Sequence, residues 1–348
     1  MKRRMIKKYF LLLLVMLLLF GCGKTEEQGA ANDSNRTISY EVRYNGTVGL
    51  LVEEGELKES GVIYADAPID FQDEVVEEML RNIIGKPEGE VYISELQEIH
   101  AIYWRGDSYW SNLQSPDGCL PHVSGCKEGP WKTKQPKTLA DFAYCYNLQW
   151  MEFGLIEVPS LKALWELPQL ETLSFAEANV TEEVLSEIGG FSSLNRFEVS
   201  IYDAYAGVDW GPITDGSFLL PIADQLTYLQ AYGGIDWNPD VLSQMVNMEI
   251  LNIAHPKDVS FLTHMPNLEK LDIYCSTVKD WSALADLDNL KELEIGGNAQ
   301  HIVEIRLDDV NSVKNLDYLE LSYTTLGEEY SHEEIAEAIP SLTQLHIQ

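Results

Sequence analysis

Few places in the chain combine residue types that can do chemistry. In "SPDGCLPHVSGCKEGPW", Cys119, His122 and Cys126 could hold a metal through two thiolates and an imidazole. The two cysteines could instead close a small disulfide loop or remain free thiols. Three local ligands fall short of a four-coordinate zinc site, and their spacing is not a standard zinc pattern. No metal is therefore assigned, and Cys119 with Cys126 is kept as a candidate disulfide. "HEEIAE", from His332, has Ala336 where a zinc-protease helix needs its second histidine. "DLDN", from Asp286, lacks the glycine turn and terminal glutamate of a calcium loop, and reads as a charged turn. No G-x-S-x-G elbow or phosphate-cradling Gly-Lys loop occurs. These patterns nominate no catalytic residue and no cofactor, and the expectation is a protein that is not an enzyme. Cys145 falls at an apolar position and reads as a buried core thiol. Nothing marks Cys275 as reactive.

The elements that would carry any site follow from the apolar spacing. "WSALADLDNLKELEIGG", beginning at Trp281, places apolar residues at Leu284, Leu287, Leu290, Leu293 and Ile295. Three-residue steps keep side chains on one face of a helical turn, and the closing two-residue step belongs to a strand. One such unit cannot stand alone. Its five apolar side chains contribute ~10 kcal/mol when buried, whereas ordering about twenty residues costs at least ~20 kcal/mol. The same pattern recurs with leading residues Ile99, Leu148, Leu170, Leu194, Leu226, Met248, Leu268, Leu290, Leu316 and Leu342. Stacked side by side, these units predict one elongated solenoid with a shared interior.

"LEKLDI", "LKELEI" and "LDYLEL" match L-x-x-L-x-L, and the sequence here resembles the leucine-rich repeat family, in particular its bacterial, internalin-like branch. The resemblance implies an α/β fold: a right-handed solenoid with short parallel strands on a concave face and turns or short helices on the convex face. "FQDEVVEEMLRNIIGKPEG" has Val75, Val76, Met79, Leu80, Ile83 and Ile84 at helical spacing, with Gly85 and Pro87 to end the helix. It looks like the N-terminal cap of such proteins. Of the asparagines the family places three residues beyond the L-x-L, only Asn298 is found. Asn147, Asn247, Asn267, Asn289 and Asn315 instead precede the leading apolar residue, where each could bond the backbone entering its strand.

The chain opens "MKRRMIKKYFLLLLVMLLLFGC", with five basic residues before an apolar run from Phe10 to Phe20. That run is short of the ~20 residues of a spanning anchor and suits an export signal. Leu19, Phe20, Gly21 and Cys22 resemble the bacterial lipobox, which implies lipidation at Cys22 and a lipid-anchored, extracytoplasmic protein. The expected order is a signal at 1–22, a polar tether at 23–36, a short β-rich element at 37–67, a helical cap at 68–98 and repeats over 99–348. A Cys-containing insertion occupies about 105–138. "YEVRYNGTVGLLV" alternates around Asn45 and Gly46 and reads as a hairpin. Arg105, Gly106 and Asp107 resemble an integrin-binding tripeptide, a match too short to assign a role. The net charge of −32 argues against nucleic acid and favours cationic partners.

In L-x-x-L-x-L the residue between the last two apolar positions projects from the concave sheet. That column runs Tyr103, Glu152, Ser174, Glu198, Gln230, Asn252, Asp272, Glu294, Glu320, His346. Half of it is acidic and none is Lys or Arg. Beside it stand Trp150, Tyr228 and Tyr318 and, one step beyond the strands, Tyr232 and Tyr274. Exposed aromatics of this kind mark recognition surfaces. The candidate binding residues are therefore Trp150, Glu152, Glu198, Tyr228, Tyr232, Asp272, Tyr274, Glu294, Tyr318 and Glu320, and the expected partner is a basic protein or peptide. Aromatic platforms flanked by carboxylates also suit cell-wall carbohydrate, and a spacer whose face binds nothing is the third alternative.

Overall fold

A computed structural model describes residues 40–41, 51–52, 66–105, 108–111 and 135–347, apart from 155, 177, 179, 201–214, 233–234, 275 and 300. The expected signal, tether and lipidated Cys22 lie outside these residues, as do Gly106, Asp107, Cys119, His122, Cys126 and Cys275. Strands β1 (Tyr40–Glu41) and β2 (Leu51–Val52) pair antiparallel, with Tyr40 opposite Val52 and Glu41 opposite Leu51.

Helix α1 (Glu74–Ile83) buries Val76, Met79, Leu80 and Ile83 along one face. Asp73 starts it, its Oδ1 accepting from the N–H groups of Val75 and Val76. Gly85 ends it at φ +69°, where the N–H of Gly85 bonds Asn82 O and that of Lys86 bonds Arg81 O. A left-handed residue is needed there, and only glycine adopts that conformation without cost. Two buried aspartates fasten this helix to the first coils. Asp141 accepts from the backbone N–H groups of Gln72 and Asp73, and Asp73 Oδ2 accepts from Lys137 and Thr138.

Beyond α1 the chain forms an eleven-stranded sheet. Ten of its strands are parallel: β3 (Ala101–Arg105), β5 (Trp150–Gly154), β6 (Thr172–Ala176), β7 (Arg196–Ser200), β8 (Tyr228–Tyr232), β9 (Ile250–Ala254), β10 (Lys270–Tyr274), β11 (Glu292–Gly296), β12 (Tyr318–Ser322) and β13 (Gln344–Ile347). The short β4 (Ser108–Ser111) pairs antiparallel on β3 at one edge. Each parallel strand pairs in sequence order with the next, so the sheet records the repeats one by one. The helical turns that return the chain are mostly 3-10, as at Leu161–Glu166, Ser260–His264 and Ser282–Asp286. Strict three-residue spacing explains this, because residues i and i+3 eclipse in a 3-10 turn but drift in an α-helix.

Trp281, Leu284, Leu287, Leu290, Leu293 and Ile295 are all buried, and they join one continuous core running from α1 to Ile339. Cys145 belongs to that core as a buried free thiol, and burial followed by the Asp141 charge pushes its pKa up. Register across the sheet stacks like on like: Leu271 stands beside Leu251 and Leu293, and Ile273 beside Ile253 and Ile295.

Four of the asparagines before the leading residues bond backbone carbonyls of the preceding coil. Their amides reach back one coil: Asn147 to Gln97 O, Asn247 to Asp224 O, Asn289 to Pro266 O and Asn315 to Asp288 O, at 2.7–2.8 Å. Gln225 and Ser193 do the same from the equivalent position, to Phe191 O and Leu170 O. The direction follows from stacking, since the carbonyl left over by one 3-10 turn faces the next coil. "DLDN" is the charged turn expected, with Asp288 engaged by Lys314 of the following coil at 2.7 Å.

Candidate functional site

Because side chains alternate along a strand, residues two apart share a face. The face turned away from the core therefore carries three columns. The middle one, Tyr103, Glu152, Ser174, Glu198, Gln230, Asn252, Asp272, Glu294, Glu320 and His346, is in unbroken register across the ten parallel strands. Trp150, Tyr228 and Tyr318 lie in the column before it, and Tyr232 and Tyr274 in the column after it. All ten candidate residues are thus on one wall.

They are less open than their sequence positions predict. Trp150 is 8% exposed and Tyr228 4%, and with Ala101 and Tyr103 they form a small apolar cluster separate from the main core. Neighbouring parallel strands lie ~4.8 Å apart, so large side chains on this wall lean on one another; the Tyr103 and Trp150 rings approach to 5.8 Å. Tyr232, Tyr274, Tyr318, Glu152, Glu294 and Glu320 are half-buried.

The phenols bond acids and amides of the same wall. Tyr318 OH donates to Glu320 at 2.6 Å, and Tyr228 OH to Gln230 Oε1 at 3.1 Å. Tyr232 OH reaches past β9 to donate to Asp272 Oδ2 at 2.5 Å. Cations also enter the wall. Lys270 Nζ lies 2.7 Å from Glu294 and 3.2 Å from Glu292. Burial would lower its pKa, but those two carboxylates outweigh it and leave the lysine above its ordinary value. The Arg196 guanidinium stands 4.1 Å over the Tyr228 ring, a cation–π arrangement.

These cations do not neutralise the column. Burial first, then the nearby Glu152 charge, push the Glu198 carboxyl up to about 8, with Arg196 and Ser174 offsetting only part. Burial and the Glu294 charge push Asp272 up to about 7 against the pull of Tyr232 and Lys270. Tyr228 and Tyr232 are raised well above ordinary tyrosines, chiefly by burial and then by Glu198 and Asp272 respectively. Several buried polar atoms also lack a partner: Glu198 Oε1, Asn252 Oδ1 and Trp150 Nε1. The wall therefore holds spare hydrogen-bonding capacity beside its acidic column.

Arg196 and Lys270 are absent from the residues nominated by sequence. They occupy the position two after the leading leucine in "LNRFEV" and "LEKLDI", which alternation places on the same face as the middle column. That two-residue period was the signal that could have found them. Among the described residues no three His, Cys, Asp or Glu side chains gather as a metal site.

No protein-family model matches the sequence, and no curated protein matches it. Solved structures do. An internalin from Listeria monocytogenes is similar at a TM-score of 0.52 and 17% identity, over 79% of this chain and 75% of that one. Internalin C2 from the same organism gives 0.44 and 16%, over 79% and 93%. A leucine-rich repeat protein of Leptospira interrogans gives 0.43 and 15%, over 60% and 51%. The likeness to the first is one of fold, and with the strand ladder it makes this chain a leucine-rich repeat solenoid of the α/β class.

Proposed function

We propose that the concave wall holds a basic protein or peptide segment, and that the protein is a non-enzymatic binding module of the bacterial cell envelope, exported and lipid-anchored through Cys22. One observation carries the first part: five acidic residues occupy a ten-residue ladder in unbroken register, and two of them, Glu198 and Asp272, are pushed up to about 8 and about 7 by burial and then by crowding from Glu152 and Glu294. A cation laid along the column relieves that crowding, and the aromatic residues beside it supply apolar contact. The N-terminal sequence, with its basic start, short apolar run and Cys22, supports the second part.

Photo-crosslinking on intact cells followed by identification of the captured molecule tests the binding role. The expected outcome is a basic protein whose capture falls as salt rises and is lost when Glu294 and Glu320, both half-buried, are replaced by Lys. Capture unchanged by those substitutions refutes the concave-face reading. A second reading, cell-wall carbohydrate, is favoured by the mixture of one unfilled donor (Trp150 Nε1) with unfilled acceptors (Glu198 Oε1, Asn252 Oδ1), because sugar hydroxyls offer both. Binding of a neutral glycan would be insensitive to salt. For the anchor, Cys22→Ser should shift the protein from the membrane fraction to the soluble fraction.

A further inference from the structure

We propose that Tyr228, Glu198 and Asn252 form a seat for an arginine side chain of the partner, a seat that Arg196 fills in the free protein. The inference rests on reading the concave wall as the binder of a basic segment, and adds which cation it selects and where.

Arg196 and Tyr228 are register partners on β7 and β8, and the guanidinium covers the ring at 4.1 Å. Its charge draws the Glu198 pKa down only in part, and no carboxylate among the described residues forms an ion pair with it. On the same face, two residues along β7, Glu198 is only 5% exposed and its Oε1 has no hydrogen-bond partner. Two strands over, Asn252 is also 5% exposed and its Oδ1 has none. Between them Gln230 already accepts from the Tyr228 hydroxyl, and the Asn252 side chain lies near enough to that hydroxyl to act on it. One aromatic ring is therefore bordered by two buried oxygens short of donors, while a group with five N–H donors rests on the ring and bonds neither. Buried acceptors of this kind are uncommon and costly, and two of them stand here on the outer pair of three consecutive strands.

Arg196 is tethered to the neighbouring strand, which lets it cover the ring without satisfying the oxygens on either side. It is itself half-buried and can swing off toward solvent. A guanidinium arriving on a partner's own flexible stem can take the same stacked position and direct its planar fork of donors at Glu198 and Asn252. A lysine ammonium has a single compact head and stacks less well, so the seat selects arginine. In this scheme Arg196 is a placeholder that keeps the ring covered until the partner displaces it.

The test is calorimetric titration of the full chain with hexa-arginine and hexa-lysine peptides at low salt, in wild type, Arg196→Gln and Asn252→Ala, each first shown to be folded by circular dichroism. Hexa-arginine should bind about tenfold more tightly than hexa-lysine. Arg196→Gln removes repulsion toward both peptides equally, so the informative quantity is the arginine-to-lysine ratio, which should rise several-fold when the placeholder is gone. Asn252→Ala should bring the ratio close to one. A ratio near one in wild type, or one that Asn252→Ala leaves intact, overturns the seat while leaving the acidic wall standing. A ratio that does not rise in Arg196→Gln overturns the placeholder. If neither peptide binds, the wall reading itself fails and takes the seat with it.

Discussion

Replacing Glu198 by glutamine should change how stability depends on pH. The carboxyl is almost wholly covered, and its folded value of about 8 stands well above the ordinary 4.5 because burial and then Glu152 disfavour the charge. A carboxyl raised on folding binds its proton more tightly in the native state. The stability it contributes is complete below 4.5 and is lost as the pH rises through about 8. Between those limits each pH unit removes up to ~1.4 kcal/mol for one such group. From pH 5.5 to pH 7.5 the wild type should lose about 2–3 kcal/mol through Glu198 alone. Glutamine keeps the shape and never ionises, so Glu198→Gln should gain on the wild type by that amount over the same interval. Urea unfolding at pH 5.5, 6.5 and 7.5 measures it directly. Parallel stability curves for the two proteins, or a variant that loses stability faster than the wild type, would refute the reasoning, because both require a Glu198 that is already charged or well solvated.

Other consequences concern the scaffold. Asp141→Ala leaves the N–H groups of Gln72 and Asp73 without their acceptor, the second of them buried, and should destabilise the protein by about 1–4 kcal/mol in urea titrations, at ~1–3 kcal/mol for the buried group and less for the partly covered one; a loss under about 0.5 kcal/mol would contradict the clamp. At Gly190 an added methyl would meet the Trp165 ring 2.0 Å away, displacing an indole whose Nε1 donates to Glu187 O at 2.8 Å. Gly190→Ala should therefore cost ~1–3 kcal/mol, read from the same titrations, with a shift in Trp165 fluorescence. Asp272→Asn should resemble Glu198→Gln in direction, flattening the loss of stability up to about pH 7, in matched melts against wild type.

The coils were legible because their signal is purely periodic. Three-residue steps at Trp281, Leu284, Leu287 and Leu290 followed by Leu293 and Ile295 require a turn and then a strand, whatever surrounds them. The same alternation put Glu198, Asp272 and Glu320 on one face in register. Coverage was not legible, since whether Trp150 is open depends on Tyr103, forty-seven residues earlier in the chain and one strand away in space. Period names the face of a residue, and neighbours brought by stacking decide its exposure. The same distinction separates the asparagines from their partners: Asn289 was visible as a turn residue, whereas its acceptor, Pro266 O, belongs to the preceding coil. The Asp73 and Asp141 clamp escaped for that reason too, its two members being joined across the Cys-containing insertion.

The central claim is that the negative charge that matters lies on the concave ladder and not on the surface at large. Titration of hexa-lysine into two variants, each with five carboxyls turned to amides, tests it most directly. One replaces Glu152, Glu198, Asp272, Glu294 and Glu320 by their amides; the other does the same at Glu166, Glu183, Asp286, Glu329 and Glu337, exposed residues of the helical turns. The account predicts that the first variant loses binding by a factor of ten or more while the second binds within about twofold of the wild type. Equal losses in the two variants would contradict it.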